Sequence, residues 1–543
     1  MERRAIPFLI AAGLGLGVTV WIACGGSGGD GGTPLNGDDT GSTVDVSGDG
    51  PGPGGCSATQ KSCGGVCIDV TTDKANCGSC GNACGAGAAC CGGKCVTTAS
   101  CSFALTNVDP PGGWQNGGDY VHLEGVGFVA GMKVTIADGR AAVRVIDATH
   151  ALIQTPPGKL GVQDVTVESG ANKATLVHAF TYTQDGLKTP WQQKPMSIVR
   201  GEDPGVAVMQ DGRVLVAGGT KVPDSAADAV NTAEIYTRKT DKVVPAANAM
   251  STNRWQNSAI TLLDGRVLVV GAACLADLSC AAGVDPKSAD LFDPTTNTFT
   301  PSKSKLNVGR AYTRSILMVD GRVLIGSAND PSLEIYDPAK DTFTLVDHPA
   351  AHVFGFMVRL RDGRVLFGGG DATNTHVETF DPDTDKVVDV GPLAVGRSML
   401  TAHVLPDGRA FVIGGSSISA GGIHVPQDSI ESFDPTTNKF TTLPYKLTIG
   451  RTWHASALVR DGTILVMGGY TVDGKCDSLS NTVDQIDPIK GTVTVFATLP
   501  NANTEWNAVT LLDGSVLGVG GGACGTATAL PDLDFLPGAG GPT

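Results

Sequence analysis

Seven short apolar runs, each preceded by Asp-Gly, recur in the chain from Asp211 onward. Asp-Gly is typical of tight hairpin turns, because glycine accepts the positive φ that such turns require. A run such as Val267–Val270 is too short for a buried helix and predicts a strand covered on both faces. The repeats are spaced 53, 56, 42, 45, 54 and 52 residues apart and start at Asp211, Asp264, Asp320, Asp362, Asp407, Asp461 and Asp513.

A second phrase follows each of the first six runs after about 25 residues and contains a strand, usually an Asp-Pro turn, and another strand. Its copies occupy residues 233–243, 289–299, 333–343, 377–387, 430–440 and 483–493. An apolar strand also precedes each Asp-Gly, so that the two phrases together make two hairpins. The pattern therefore predicts a radial array of four-stranded sheets.

These phrases resemble the kelch repeat from about residue 187 to residue 536. The resemblance implies an all-β fold with a seven-bladed kelch β-propeller over residues 185–543. The sequence holds seven inner hairpins but only six outer phrases. Residues 530–537 resemble one missing outer piece and residues 188–200 the other. We therefore expect a seventh blade built from both ends of the domain, which leaves no free sheet edge.

The amino terminus predicts export. Arg3 and Arg4 precede an apolar stretch, so residues 1–23 read as a signal peptide. Ala23-Cys24 resembles the cleavage site of a bacterial lipoprotein, with Cys24 as the lipidated residue, although Trp21 departs from the usual aliphatic residue. An uncleaved anchor helix or an ordinary signal peptide is the alternative. Residues 24–55 are rich in Gly, Asp and Ser and predict a flexible tether.

Residues 56–101 contain ten of the fifteen cysteines of the chain. An even number of cysteines in a short exported segment predicts a disulfide-rich module. Metal binding through Cys77, Cys80 and Cys84 is the weaker alternative, because the segment has no histidine. The pattern resembles a Cys-rich module of envelope proteins in large-genome Gram-negative bacteria. The ten residues are Cys56, Cys63, Cys67, Cys77, Cys80, Cys84, Cys90, Cys91, Cys95 and Cys101.

Residues 102–184 show alternating strands separated by glycine turns, which is typical of a small sandwich. The segments 108–128, 155–158 and 179–182 resemble an IPT/TIG domain, and this resemblance implies an immunoglobulin-like spacer or adhesive module. Four cysteines follow later in the chain. Cys274 and Cys280 share one loop and are expected to bridge locally, whereas Cys476 and Cys524 are candidates for a bridge between blades. Four free thiols are the alternative.

The formal net charge is −15, and no basic run occurs beyond the signal peptide. This composition argues against nucleic acid and anionic membrane surfaces as partners. Helix signals are nearly absent, and no second membrane span is predicted.

Counting back ten residues from each Asp-Gly gives a column of Arg254, Arg310, His352, Arg397, Arg451 and Asn503, with Arg200 offset by one. Two positions later stand Gln256, Tyr312, Phe354, Met399, Trp453 and Glu505. Radial symmetry would gather these side chains around one bowl, where Arg and aromatic groups suit a glycan or peptide. A structural role for the arginines is the alternative. The candidate ligand residues are Trp255, Arg310, Tyr312, Arg397, Arg451, Trp453, His454, Glu505 and Trp506.

The segment 308–326 resembles the copper-ligand segment of galactose oxidase and related copper-radical oxidases. Tyr312 matches the tyrosine of the adjacent Tyr-His pair, but Thr313 occupies the histidine position. His454 matches that histidine in another blade, where Trp453 replaces the tyrosine. No tetragonal ligand set emerges, and we therefore expect no metal, cofactor or catalytic residue. Sialidase-like catalysis by Arg310, Arg397, Arg451, Tyr312 and Glu505 is a further, weaker alternative.

The sequence as a whole predicts a lipid-anchored envelope protein at the outer membrane or surface of a Gram-negative bacterium. The propeller would recognise a protein or glycan. An extracellular carbohydrate-active hydrolase or oxidase is the alternative function.

Overall fold

The computed structural model describes residues 56, 60–70, 72–86, 89–91, 94–96, 103–188, 191–222, 225–275, 278–346, 352, 355–370, 375–419, 423–472, 478–522 and 532–538. The predicted signal peptide, the lipidation site Cys24 and the tether lie outside these residues, as do Phe354, Cys101, Cys476 and Cys524. The described elements are β-strands joined by turns and a 3-10 helix at Ala226–Asp228. Among the described helices none has the length and apolarity to cross a membrane.

The amino-terminal module is small and held by disulfides. Two hairpins are present, β1 (Gln60–Cys63) with β2 (Val66–Asp69) and β3 (Ala89–Cys91) with β4 (Lys94–Val96). Disulfides join Cys56 to Cys67, Cys63 to Cys80 and Cys77 to Cys90. Cys84 is also disulfide-bonded. The predicted disulfide framework is therefore confirmed for the cysteines whose side chains are described, and the bonded state of these cysteines disfavours the metal alternative.

Reduction is expected to unfold this module while the rest of the chain stays folded. Its buried apolar cluster consists of the cysteines Cys77, Cys84 and Cys90, so cross-links must replace a core, each contributing about 2–4 kcal/mol. Hydrogen exchange with and without reductant measures this directly. Residues 60–86 should lose protection, whereas the strands after residue 191 should keep theirs. Equal protection of the module in both states would contradict the prediction.

Residues 104–183 form a two-sheet sandwich. One sheet has the strand order β10-β11-β7-β5 and the other the order β6-β13-β12-β8-β9. Alternating residues from both sheets, among them Val121, Ile153, Val165 and Phe180, are fully buried in a common core. The strands are β5 (Ala104–Asp109), β6 (Gly112–Trp114), β7 (Tyr120–Val126), β8 (Lys133–Ile136), β9 (Gly139–Arg140), β10 (Ala142–Val145), β11 (His150–Gln154), β12 (Gly161–Ser169) and β13 (Asn172–Thr183).

The described residues from 191 to 538 form seven four-stranded antiparallel sheets, here called R1 to R7, and one extra hairpin. R1 consists of β15 (Gly205–Val208), β16 (Val214–Ala217), β17 (Ala233–Thr237) and β18 (Lys242–Pro245). R2 consists of β19 (Ser258–Thr261), β20 (Val267–Val270), β21 (Ala289–Asp293) and β22 (Thr298–Pro301). R3 consists of β23 (Arg314–Leu317), β24 (Val323–Gly326), β25 (Leu333–Asp337) and β26 (Thr342–Val346). They follow β14 (Gln192–Pro195), which belongs to R7.

R4 consists of β27 (Phe356–Arg359), β28 (Val365–Gly368), β29 (Val377–Asp381) and β30 (Lys386–Asp389). R5 consists of β31 (Thr401–Val404), β32 (Ala410–Ile413), β35 (Ile430–Asp434) and β36 (Lys439–Thr442), and carries the extra hairpin of β33 (Ser416–Ile418) and β34 (His424–Pro426). R6 consists of β37 (Ala455–Leu458), β38 (Ile464–Met467), β39 (Thr482–Asp487) and β40 (Thr492–Thr498); R7 adds β41 (Thr504–Thr510), β42 (Val516–Gly522) and β43 (Asp532–Leu536) to β14.

Contacts between first strands link the seven sheets in a closed ring. The first strand of each sheet contacts the first strand of the next, and β41 of R7 contacts both β37 and β15. The second strand of each sheet is buried along its length, as Val267–Val270 illustrates, because neighbouring sheets cover both of its faces. The apolar runs therefore form strands that are covered on both faces, as their sequence predicts.

Sheet R7 joins the two ends of the ring. Strand β14 pairs with β43, and β43 pairs with β42, so the outer strand precedes R1 in the chain while the other three strands follow R6. This is the pairing that residues 188–200 and 530–537 predict.

The Asp-Gly turns also connect neighbouring sheets. In R1 the main-chain N–H of Arg213 donates to Asp211 at 3.0 Å, while its guanidinium donates to the Pro294 carbonyl at 2.5 Å, in the Asp-Pro turn of R2. Arg322 makes the corresponding bond to Pro382 at 2.8 Å. The two recurrent phrases of the sequence therefore bind each other from one sheet to the next.

The sandwich packs against the Asp-Gly end of the ring. Main-chain N–H groups of the sandwich donate across the interface, from Arg140 to Arg361 O at 2.6 Å and from Val143 to Val319 O at 3.0 Å. Arg140 also binds Asp383 with two hydrogen bonds of 3.0 and 3.1 Å. The sandwich thus covers one end of the ring and not the opposite end.

Candidate functional site

The arginine column lies inside the sheets. Arg200, Arg254, Arg310, Arg397 and Arg451 are 0% exposed, and each pairs with the acid at the second position of the outer phrase of its own sheet. The N–O distances are 3.0, 2.6, 2.9, 2.8 and 3.3 Å to Glu234, Asp290, Glu334, Glu431 and Asp484, respectively. His352 takes this place in R4 and binds Glu378 at 2.9 Å.

The same guanidinium groups also satisfy main-chain carbonyls. Arg310 donates to Ser332 O at 2.6 Å, and Arg397 donates to Gly414 O at 3.0 Å and to Ser429 O at 3.1 Å. Their buried charges are paired and hydrogen-bonded, which is the condition for stable burial. Of the two alternatives for Arg310, Arg397 and Arg451, this geometry favours the structural role and corrects their placement among the ligand residues.

Two positions after the column, the backbone adopts the left-handed conformation. The residues are not glycine, yet their φ values lie between 44° and 55°, at Glu202, Gln256, Tyr312, Met399, Trp453 and Glu505. Such a conformation is uncommon for non-glycine residues and clusters at functional sites. It recurs here in six sheets and marks the point where the chain turns into the first strand beside the axis.

A cavity of about 290 Å³ lies at the centre of the ring, where the chain enters the first strand of each sheet. We call it the axial cavity. All seven sheets contribute to its wall, which contains Asp203, Asn257, Ser258, Thr313, Arg314, Phe356, Thr401, His403, Trp453, His454, Ser456, Glu505, Trp506 and Asn507 among others. The side of the ring that faces away from the sandwich therefore presents a polar, concave site.

Several wall residues keep buried polar atoms without a protein partner. Asn257 is 5% exposed and Thr313 is 1% exposed. The Asn257 amide oxygen and nitrogen and the Thr313 hydroxyl have no hydrogen-bond partner among the described residues. The Trp506 indole N–H also lacks a hydrogen-bond partner among the described residues. An unsatisfied buried polar group costs about 1–3 kcal/mol, so these atoms favour water or a polar ligand in the cavity.

Two histidines of the wall are held neutral. Burial lowers the pKa of His403 to about 4, and burial together with the charge of Arg451 lowers the pKa of His454 to about 3. Each ring is tied to a hydroxyl, His403 Nε2 to Ser456 Oγ at 2.7 Å and His454 Nε2 to Thr401 Oγ1 at 3.0 Å. At neutral pH they therefore add hydrogen-bonding capacity but no charge.

Tyr312, another predicted ligand residue, precedes the wall residue Thr313 but does not itself line the axial cavity. Burial raises the pKa of its hydroxyl, and the carboxylates of Glu505, Glu202 and Asp203 raise it further. The hydroxyl therefore stays protonated near neutral pH. Burial also raises the pKa of Asp203, an effect that the charge of Arg314 opposes.

The remaining predicted residues divide into two groups. Trp453, His454, Glu505 and Trp506 line the axial cavity. Trp255 does not; it is 3% exposed and packs with its ring centroid 6.1 Å from that of Tyr312. Cys274 and Cys280 form the expected local disulfide.

The column count missed Asp203, Arg314, His403 and Ser456. Arg314 is the first residue of β23 and stands six positions before Asp320. The corresponding positions in the other sheets hold other residue types, so Arg314 is a departure from the repeat. A scan for charged residues within the first strands would have found it.

Comparisons with known proteins agree with this architecture. A family model described as the IPT/TIG domain matches residues 104–183, and one described as the stigma-specific STIG1-like protein family matches residues 53–104. The IPT/TIG prediction is confirmed. Two curated sequences of galactose oxidase from Gibberella zeae are each 24% identical over 344 residues, which cover 60% of this chain and 43% of theirs. The chain thus spans less than half the length of the curated relatives it matches.

The chain is also similar to solved structures. A fungal alcohol oxidase of the AA5 family, in complex with copper, aligns with a TM-score of 0.51 at 18% identity over 65% of this chain and 76% of that chain. A structure of YjhT aligns with a TM-score of 0.41 at 15% identity over 56% of this chain and 99% of that chain. The galactose oxidase matches and the alcohol oxidase structure support a β-propeller of the galactose oxidase type.

Proposed function

We propose that sheets R1 to R7 are the blades of a seven-bladed propeller and that its axial cavity binds a carbohydrate. The observation that carries the proposal is the combination of buried, unpartnered polar atoms with an aromatic ring in one cavity. Asn257 and Thr313 supply the polar atoms, and the half-buried Trp453 supplies the ring.

A sugar matches both features. Its hydroxyls donate and accept hydrogen bonds, which satisfies amide and hydroxyl groups that a purely apolar ligand would leave unpaired. Its apolar C–H face packs on an indole. A protein ligand, the other candidate from the sequence, would have to reach a cavity in which Asn257 is 5% and Trp506 3% exposed. The depth of these groups favours a small polar ligand or the end of a chain.

The comparisons support the carbohydrate class. Galactose oxidase, by its name, acts on a sugar, and its similarity covers 60% of this chain. We extend only the ligand class to this protein, because the identity is 24%.

A copper-dependent oxidase is the second candidate, favoured by the similarity to an alcohol oxidase that binds copper. Copper needs several nitrogen or oxygen ligands in one set. Among the described residues, the one group of three His, Cys, Asp or Glu ligand atoms within 4.8 Å of one another is Cys77, Cys84 and Cys90, in the amino-terminal module. At the axial cavity, the Nε2 atom of His454 forms a hydrogen bond with the hydroxyl of Thr401. The described residues at the axial cavity therefore offer no such set of His, Cys, Asp or Glu ligands, and we derive no step through copper.

We further propose that the protein is exported and held at the outer membrane or cell surface by a lipid on Cys24. The Ala23-Cys24 pair after an apolar stretch supports this proposal. The tether and the disulfide-rich module would then lift the sandwich and the propeller away from the membrane. With the sandwich on the Asp-Gly end of the ring, the axial cavity is left open at the other end.

Trp453→Ala is expected to weaken carbohydrate binding about tenfold or more while the melting temperature changes little, because a half-buried anchor contributes more to binding than to folding. Calorimetric titration with oligosaccharides of galactose and of galacturonic acid measures the affinity. Tyr445→Ala is the matched control, since Tyr445 does not line the cavity. A large loss of stability in Trp453→Ala would contradict the proposal. Copper in the purified protein together with peroxide release from galactose would favour the oxidase.

A further inference from the structure

Arg314 differs from every other arginine that the structure describes. The others donate hydrogen bonds to carboxylates or carbonyls, as Arg310 does to Glu334, Arg359 to Leu317 and Arg460 to Leu511. The side chain of Arg314 makes no hydrogen bond or ion pair with the described residues, although it is exposed to the axial cavity. Its guanidinium therefore keeps all five N–H donors for other partners.

The surroundings of Arg314 direct those donors toward a ligand. Asn257, Ser258 and Ser315 also line the cavity, and the hydroxyls of Ser258 and Ser315 form a hydrogen bond of 2.7 Å. The charge of Arg314 acts on Asp203, which is 8% exposed and forms no ion pair with it within 4.0 Å. The burial that raises the pKa of Asp203 makes its negative charge costly. Asp203 is therefore a poor substitute for an anionic partner.

We propose that Arg314 makes the axial cavity selective for acidic saccharides, with the guanidinium binding the carboxylate of a uronic acid. Planar guanidinium and carboxylate groups match through two parallel hydrogen bonds, and such charge-assisted bonds are stronger than those between neutral groups. The unpartnered amide of Asn257 and the hydroxyl of Thr313 then bind sugar hydroxyls. A neutral sugar would use these groups but leave the guanidinium unmatched. This inference rests on the proposed carbohydrate-binding function.

The test compares a trisaccharide of galacturonic acid with one of galactose by calorimetric titration. The wild-type protein is expected to bind the acidic sugar at least about tenfold more tightly. Arg314→Gln should weaken the acidic sugar by about 10- to 100-fold and leave the neutral one within about twofold. Arg314→Lys keeps the charge but loses the paired geometry, and should fall between the two. Added salt should weaken binding of the acidic sugar to the wild type more than to Arg314→Gln.

Arg409→Gln is the matched control, because it removes the same charge from the surface. Arg409 pairs with Asp407 at 2.7 Å and does not line the cavity, so both affinities should stay unchanged. Selective binding of the acidic sugar that survives Arg314→Gln would overturn the role of Arg314 and leave carbohydrate binding intact. A preference of the wild type for the neutral sugar would also overturn the role of Arg314 and leave carbohydrate binding intact. Failure of the wild type to bind either sugar would overturn the proposed function together with this inference. Thermal melting of each variant checks that it is folded.

Discussion

Arg310→Ala is expected to lower the free energy of unfolding by about 3–5 kcal/mol, because it leaves a buried carboxylate without its partner. Glu334 is 0% exposed and lies 2.9 Å from the Arg310 guanidinium. The substitution also removes the hydrogen bond to Ser332 O at 2.6 Å. A loss of this size is a large part of the stability of an ordinary domain.

Urea denaturation followed by tryptophan fluorescence measures this loss. Arg409→Ala is the control, since its ion pair with Asp407 is 37% and 40% exposed and a surface pair contributes about 0–1 kcal/mol. The double variant Arg310→Met with Glu334→Leu should be less destabilised than Arg310→Ala, because no unpaired charge remains buried. If Arg310→Ala costs no more than the control, the structural role of the column is wrong and Arg310 returns to the ligand candidates.

The repeats made the sheets predictable. Asp-Gly turns, apolar runs such as Val267–Val270 and the outer phrases recur in register, and each predicts a local structure that tertiary packing does not override. The acid of the outer phrase also recurs, as Glu334 and Asp484 do, always at the second position of that phrase. Their pairing was therefore present in the sequence as two columns of opposite charge. What the sequence could not supply was their burial, which separates a structural arginine from a ligand-binding one.

The axial site was less predictable. Tyr312, Trp453 and Glu505 adopt positive φ although nothing in their residue types requires it, because the neighbouring sheets impose the turn. Arg314 was not predicted as a site residue, because aligning the repeats finds only positions that recur and Arg314 departs from the repeat. The docking of the sandwich depends on main-chain groups such as Arg140 N–H and Arg361 O, which carry no sequence signal. The number of cysteines predicted disulfides but not their pairing, since four cysteines already allow three pairings. The bond between Cys63 and Cys80 is therefore known only from the structure.

Removing strand β43 by ending the chain at Gly522 is expected to abolish stable folding of the ring. The strand lies between β14 and β42, so its loss unpairs β14 and exposes the edge of β42. Leu533, Phe535 and Leu536 are at most 1% exposed, and burial of three such side chains contributes about 4–9 kcal/mol. That is comparable with the whole stability of a typical domain, about 5–15 kcal/mol.

A chain ending at Gly538 is the matched control, because it keeps β43 and should melt like the full chain. Circular dichroism melting and size-exclusion chromatography of both truncations measure the difference, with loss of the cooperative transition and aggregation expected for the shorter one. Aggregation follows from the exposed edge, since unpaired N–H and C=O groups of β42 would be available to a second chain. If the two truncations melt at the same temperature, the pairing of β14 with β43 does not close the ring, and its stability must come from contacts between neighbouring sheets such as the bond from Arg322 to Pro382.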